Sequence, residues 1–237
     1  MNIFALFALS FLPLVVVFFL FVILVPGQKK VRYGILACIL GLFAVVPTSL
    51  VQHFILNLPI FTASTVVNLL VTAIIFNGLI EESVKMFFLS FLPFKKLNLS
   101  FYFCCALLAG MTLGSFESII YVVKKISGAA EPLGTQAVLN LLVARAFTSV
   151  LIHTFCAGLS GLYLWMFKKK QTHVLPFVWA VLLHGVYNFF AGFSNNFYWF
   201  AVIAILFAIL ECRIWYKYNN LSDLSDLSDT GVDIKRY

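Results

Sequence analysis

The chain begins with the apolar stretch IFALFALSFLPLVVVFFLFVILV, which extends from Ile3 to Val25 without a charged side chain. A helix needs roughly 20 such residues to cross a hydrocarbon core of about 30 Å. Further apolar runs follow, and the sequence predicts about seven membrane spans, at residues 3–25, 33–56, 65–92, 100–123, 138–167, 174–192 and 197–216. Because each run is continuous rather than alternating, helices are favoured over strands. We therefore expect an all-α, polytopic bundle of transmembrane helices.

The composition excludes several classes of protein. Hydrophobic residues make up 62% of the 237 residues and charged residues 11%, whereas soluble domains average roughly 45–50% and about 25%. So few charges cannot cover a water-soluble surface, which excludes a soluble enzyme, a disordered protein and a nucleic-acid binder. The five cysteines form no CxxC pair, so they indicate neither a disulfide framework nor a metal knuckle.

The basic residues predict the orientation of the chain in the membrane. Only Lys124 and Lys125 fall in a loop on one side of the predicted bundle. The other side receives Lys29, Lys30, Arg32, Lys95, Lys96, Lys168, Lys169, Lys170, Arg213, Lys217, Lys235 and Arg236. Cytoplasmic loops carry the excess of lysine and arginine, so we expect the N-terminus outside and the C-terminus in the cytoplasm.

The end of the chain differs from the rest in composition. Three Leu-Ser-Asp triplets follow one another from Leu221 to Asp229, and such low complexity is typical of disorder. The sequence therefore predicts a transmembrane domain at 1–218 and a disordered cytoplasmic tail at 219–237.

Ionisable and amide side chains inside the spans identify the candidate site. An ionised side chain at the bilayer centre costs about 2.5–3.5 kcal/mol on insertion scales, so several of them must face one another or a polar cavity. The catalytic candidates are Glu81, Glu82, Glu117, His153, His184 and Asn188, and Lys85 and Arg145 are supporting candidates. These residues also have structural interpretations as alternatives to a catalytic role. Glu81 and Lys85 can form an ion pair within one helix, the histidines can be packing residues, and the Arg145 side chain can reach the membrane interface.

These residue types favour hydrolysis by activated water. Two adjacent carboxylates in a low-dielectric site cannot both ionise easily, so Glu81 or Glu82 can exchange a proton and act as a general base. His153 and His184, together with Glu117, are a donor set that suits zinc. Asn188 can donate to a developing oxyanion. A metal site and a metal-free site in which the histidines hold the water both remain open.

Four motifs on successive spans resemble those of the PrsW family of membrane proteases. Glu81-Glu82-Ser83-Val84-Lys85 fits its EExxK motif, and Phe116-Glu117 with Tyr121 is similar to the second motif. His153 and the stretch from His184 to Asn188 are similar to the third and fourth. The related CAAX prenyl protease and bacteriocin-processing superfamily has EExxxR, whereas here Lys85 stands one residue earlier than that arginine.

The resemblance implies a membrane-embedded endopeptidase that cleaves a membrane-anchored, anti-sigma-factor-like protein in a bacterial cytoplasmic membrane. It implies a divalent metal, zinc, although relatives are also described with a glutamate-activated water and no metal. The implied partners are the substrate protein and the lipid bilayer, and no nucleic acid.

Three alternatives remain at this stage. Gly158-Leu159-Ser160-Gly161 matches the GxSG motif of rhomboid serine proteases, with Ser160 as nucleophile and His184 as base. A proton-coupled transporter also uses carboxylates inside the membrane, but its inverted repeats are not visible in this sequence. The third alternative is a noncatalytic membrane relative.

Overall fold

A computed structural model describes residues 2–25, 30–56, 65–129, 133–171, 173–193 and 196–229. Over these ranges the chain is helical and contains no strand, with 88% of it in helices. The α-helices are α1 (Ile3–Leu24), α2 (Lys30–Leu56), α3 (Val66–Val71), α4 (Glu81–Leu89), α5 (Leu99–Ser127), α6 (Thr135–Phe147), α7 (Ser149–Lys168), α8 (Leu175–Ala191) and α9 (Tyr198–Asp229). The predicted all-α membrane bundle is confirmed.

Six helical segments in the described ranges are long and apolar enough to cross a membrane. Two of them are composite: Val66–Leu89 joins α3 to α4, and Thr135–Lys168 joins α6 to α7. The sixth of the seven predicted spans corresponds to α8, which has only 17 residues, about the lower limit of the length that crosses a bilayer. The seven predicted apolar runs are therefore all helical over their described residues, and six of them belong to helical segments longer than α8.

Both composite spans depart from regular α-helix, where the sequence analysis expected uninterrupted helices. Thr72–Ile80 forms a π-helical stretch that leads directly into Glu81. The α6–α7 segment is broken at Thr148, whose backbone angles are φ −128° and ψ −80°. Distortions of this kind are common at functional sites, and each break lies within a few residues of a candidate side chain.

The helix α5 lies at the centre of the bundle, and small residues allow α7 to approach it closely. A Cβ atom on Gly114 would lie 3.0 Å from Val150 Cα and 3.1 Å from His153 Cβ. A Cβ on Gly161 would lie 2.5 Å from Ala106 Cβ. The sequence predicts a small-residue seam on this helix, at Ala106, Gly110, Gly114 and Ser118, and the close α5–α7 crossing confirms it.

A second close crossing brings α8 against the π-helical stretch. A Cβ on Gly185 would lie 2.6 Å from Ile74 Cα, so glycine is required at this position for the two backbones to approach. The crossing places His184 beside Glu81 and Glu82 at the start of α4.

The last helix, α9, extends through Asp229. It therefore enters the segment 219–237 that the sequence predicts to be a disordered tail, and residues 230–237 lie outside the described ranges. The division into a transmembrane domain and a tail remains a prediction, as does the orientation of the termini.

Candidate functional site

The structure brings five of the six predicted catalytic side chains and both supporting ones into one connected cluster. Five helices contribute: α4 carries Glu81, Glu82 and Lys85, α5 carries Glu117, α6 carries Arg145 near its end, and α7 and α8 carry one histidine each. Asn188, one turn after His184, lies beside the cluster and lines two neighbouring cavities. The cost of inserting charges requires these ionisable groups to face one another, and their mutual contacts in the cluster meet this requirement.

Glu82 is completely buried and accepts three hydrogen bonds. Lys85 Nζ lies 2.6 Å from its Oε1, and His184 Nδ1 lies 2.8 Å from the same oxygen. Ser160 donates its hydroxyl to Oε2 at 3.0 Å. A buried carboxylate with three donors is a stable anion, and three of its roughly four lone-pair sites are occupied. These contacts disfavour Glu82 as a general base, a role that the sequence analysis allowed it.

The contact with Glu82 determines the tautomer of His184. A carboxylate only accepts hydrogen bonds, so the proton of His184 lies on Nδ1 and the Nε2 lone pair points away from Glu82. Nε2 lies 3.0 Å from Glu81 Oε2, which is also an acceptor. Among the described residues, neither of these two buried atoms has a hydrogen-bond partner. Two acceptors so close together require a cation or a proton between them.

His153 connects Lys85 and Glu81 to Glu117. Its Nδ1 lies 3.0 Å from Lys85 Nζ and 3.6 Å from Glu81 Oε2. Its Nε2 contacts Glu117 Oε2. Because an ammonium group only donates, Nδ1 accepts from Lys85 and Nε2 carries the proton that faces Glu117.

Glu117 is the most accessible carboxylate of the cluster. Its side chain is 37% exposed, whereas that of Glu82 is fully buried. Arg145 Nη2 holds its Oε1 at 3.2 Å and also donates to Ser149 Oγ at 2.7 Å. The Arg145 guanidinium lies over the ring of Tyr121, 4.3 Å from the ring centroid. Arg145, whose side chain is 12% exposed, thus anchors Glu117 from within the cluster.

Two cavities meet at Glu117 and Tyr121. One, of about 160 Å³, also contacts Glu81 and is lined by Gln52 and Lys124. The other, of about 320 Å³, is lined by Arg145, Asn188 and residues at the end of α8. A third cavity, of about 340 Å³, adjoins it at Asn188 and contains Asn77. These cavities therefore give access to the cluster from the side of the bundle where the C-terminal ends of α5 and α8 lie.

Gln52 is not among the site residues predicted from the sequence. Its Nε2 donates to Glu81 Oε1 and to Asn77 Oδ1, both at 3.2 Å. The only signal in the sequence is an amide near the end of an apolar span, which is equally typical of a residue at the membrane interface.

Ser160 does not make the contact with a histidine base that the serine-protease alternative requires. This serine is fully buried and donates to Glu82, and the Nδ1 atom of His184 faces the same carboxylate instead of the hydroxyl. A nucleophile needs its base within hydrogen-bond reach. The contacts of Ser160 therefore argue against the rhomboid alternative.

Glu81, His153 and His184 form a group that fits a metal ion. One ligand atom from each lies within 4.8 Å of the others, and the 3.0 and 3.6 Å separations from Glu81 Oε2 bracket the roughly 3.3 Å between ligands of a tetrahedral zinc with bonds of about 2.0–2.1 Å. Three carboxylates face only two permanent cations, Lys85 and Arg145, so the cluster favours a further positive charge. Lys85 competes with such an ion for His153 Nδ1.

The metal set expected from the sequence was Glu117, His153 and His184. In the structure Glu81, rather than Glu117, joins both histidines in this group, while Glu117 lies against the far nitrogen of His153. A carboxylate behind a ligating histidine is a common outer partner in metal sites, and both histidines have one here: Glu82 behind His184 and Glu117 behind His153.

Comparison with known proteins is consistent with this cluster. A search of curated proteins and a search of solved structures found no match. A family model described as PrsW family intramembrane metalloprotease matches residues 29–211, more than three quarters of the chain. That range contains every member of the cluster. The chain therefore belongs to the PrsW family of intramembrane metalloproteases.

Proposed function

We propose that this multi-pass membrane enzyme hydrolyses a peptide bond of a membrane-anchored protein at the cluster of Glu81, His153, His184 and Glu117. The observation that carries the proposal is the pair of unpartnered buried acceptors, His184 Nε2 and Glu81 Oε2, 3.0 Å apart. The metal that the family description implies is zinc in this proposal, held by Glu81, His153 and His184. Such an ion supplies Lewis-acid polarisation of the peptide carbonyl.

Glu117 acts as the general base in this proposal. It is the carboxylate that faces both cavities, and the Arg145 contact keeps it ionised and oriented. It takes a proton from the attacking water, and then delivers that proton to the departing amine nitrogen. His153 Nε2, which contacts Glu117, orients its carboxyl group and stabilises the carboxylate before the first step and after the second.

The remaining side chains bind and orient. Glu82 holds His184 in the tautomer that leaves Nε2 free, and Gln52 holds the other oxygen of Glu81. Asn188 donates from the cavity that it shares with Glu117 and Arg145 to the oxyanion that develops on the carbonyl oxygen.

The substrate in this proposal is an anti-sigma-factor-like protein of a bacterial cytoplasmic membrane, as the family resemblance implies. An extended segment of that substrate enters through the cavities beside Lys124 and the end of α8. With the orientation expected from the basic residues, this end faces outward, so the cut falls in the outer half of the bilayer.

A reconstituted cleavage assay tests the proposal. The full chain in proteoliposomes is given single-span test proteins whose juxtamembrane segments face either side of the bilayer. We expect cleavage near the outer face, loss of activity after treatment with a zinc chelator, and recovery with added zinc. Cleavage that is unaffected by metal removal would instead support the metal-free mechanism, in which a proton lies between Glu81 and His184.

A further inference from the structure

The GxSG segment of α7 has no role in the proposed chemistry, although its serine lies inside the cluster. Ser160 Oγ is 3.0 Å from Glu82 Oε2, and both side chains are completely buried. The other oxygen of Glu82 receives both Lys85 and His184. Among the described residues, Ser160 is thus the donor to Oε2.

We propose that Ser160 is a positioning residue for the metal site, which acts through Glu82 on His184. The last torsion of a glutamate side chain is soft, so two donors on a single oxygen leave the carboxylate plane free to turn. The hydroxyl on the second oxygen fixes that plane. The fixed plane directs Oε1 at His184 Nδ1, and this contact in turn aims Nε2 at Glu81. The inference rests on the metal site of the proposed function.

Burial makes this hydrogen bond consequential. Removing the hydroxyl takes away the hydrogen bond that Oε2 receives from Ser160, at a side chain that is completely buried. A buried acceptor without a partner is strongly unfavourable, so the carboxylate turns toward Lys85. The imidazole ring of His184 is then held less firmly in its orientation. Loss of an outer partner of a metal ligand commonly lowers metal affinity about 10–100-fold.

The chain offers a matched control in Ser10. This serine is also buried, and its hydroxyl donates at 2.7 Å to the Ser115 carbonyl on α5. Ser10→Ala and Ser160→Ala each remove one buried hydrogen bond between helices. Only the second removes a contact with the cluster, so a general loss of packing affects both variants alike.

The test measures the zinc affinity of the purified full chain by competition with a chelator, for wild type, Ser160→Ala, Ser10→Ala, Glu82→Gln and the Ser160→Ala/Glu82→Gln double variant. We expect Ser160→Ala to bind zinc about tenfold more weakly and Ser10→Ala to bind it like wild type. In the Glu82→Gln background Ser160→Ala should change the affinity by less than about twofold, because both substitutions act through the same carboxylate.

The outcomes separate this inference from the proposed function. If wild type binds no zinc, the metal site of the proposed function is wrong and the inference falls with it. If wild type binds zinc and Ser160→Ala binds it equally tightly, only the inference is overturned. Abolished cleavage with unchanged zinc affinity would also overturn it, since it would give the hydroxyl a direct part in the reaction.

Discussion

The two halves of the cluster differ in their access to solvent. The sealed half consists of Glu82, Lys85, Ser160 and His184, all of which are at most 3% exposed. Below it, toward the end of α4, Leu89, Leu92, Tyr102 and Trp165 belong to one buried apolar group. The open half consists of Glu117, Arg145 and Asn188, which line the cavities. Glu81 and His153 join the two halves.

This difference suggests a division of labour between carboxylates of the same chemical type. In the sealed half every donor of Glu82 is fixed, so this carboxylate orients a ligand and does not exchange protons readily. In the open half Glu117 has room beside it for water and for a peptide. In the proposed mechanism the same residue type therefore orients a ligand in one place and reacts in the other, because the surroundings of the two carboxylates differ. The predictions below separate holding from reacting.

The largest effect is expected where the halves meet, at Glu81. Glu81→Gln removes a charge from the proposed ligand set and leaves an amide against His184 Nε2, so cleavage of a single-span test protein should fall by more than about 10³-fold. The measurement is the initial rate in proteoliposomes. Glu211→Gln is the control, because Glu211 lies on α9 and bonds to Trp215. Retained activity of Glu81→Gln would remove this residue from the site.

A smaller loss is expected in the open half. Glu117→Gln keeps the size of the side chain and its contact with Arg145, but it cannot take a proton, so kcat should fall about 10²–10⁴-fold. Burst and steady-state kinetics with saturating substrate measure this change, and KM should remain near that of wild type. A raised KM with an unchanged kcat would instead make Glu117 a substrate-binding residue.

Asn188 tests whether the open half also stabilises the oxyanion. Asn188→Ala removes one donor from the cavity wall, and a lost oxyanion donor typically lowers kcat about 10²–10³-fold. Asn140→Ala is the matched control, because Asn140 is exposed and accepts a hydrogen bond from Gln136 on the surface of α6. Equal rates for the two variants would argue against an oxyanion role.

The smallest effect concerns the crossing that positions His184. A Cβ on Gly185 would lie 2.6 Å from Ile74 Cα, so Gly185→Ala should push α8 outward and destabilise the protein by about 1–3 kcal/mol. Gly134→Ala is the control, because a Cβ there meets no atom within 4 Å. Thermal unfolding in detergent compares the two variants, and equal midpoints would mean that α8 does not depend on this close approach.

Much of this architecture follows from the sequence by elementary arguments. Uninterrupted apolar length predicts the helices, and the cost of inserting charges predicts that Glu81, Glu117, His153 and the other ionisable residues meet. The glycine and alanine spacing on α5 predicts its close crossing with α7. These arguments succeed because a bilayer leaves few alternatives for charged groups and exposed backbone.

Other features could not be read from the sequence. The break at Thr148 involves neither proline nor glycine, so tertiary contacts must select it. The sequence also cannot distinguish the sealed Glu82 from the open Glu117, because accessibility depends on which helices surround each carboxylate. Ser160 lies in a stretch that matches a nucleophile motif, and its hydrogen bond to Glu82 could be identified only from the structure.

In this account Glu81, His153 and His184 hold a metal, and Glu117 of the open half reacts. Zinc analysis of purified Glu81→Gln and Glu117→Gln, beside wild type, tests it most directly. The account predicts about one zinc per chain in wild type and in the inactive Glu117→Gln, and none in Glu81→Gln. Zinc that is lost from Glu117→Gln and retained by Glu81→Gln would contradict it.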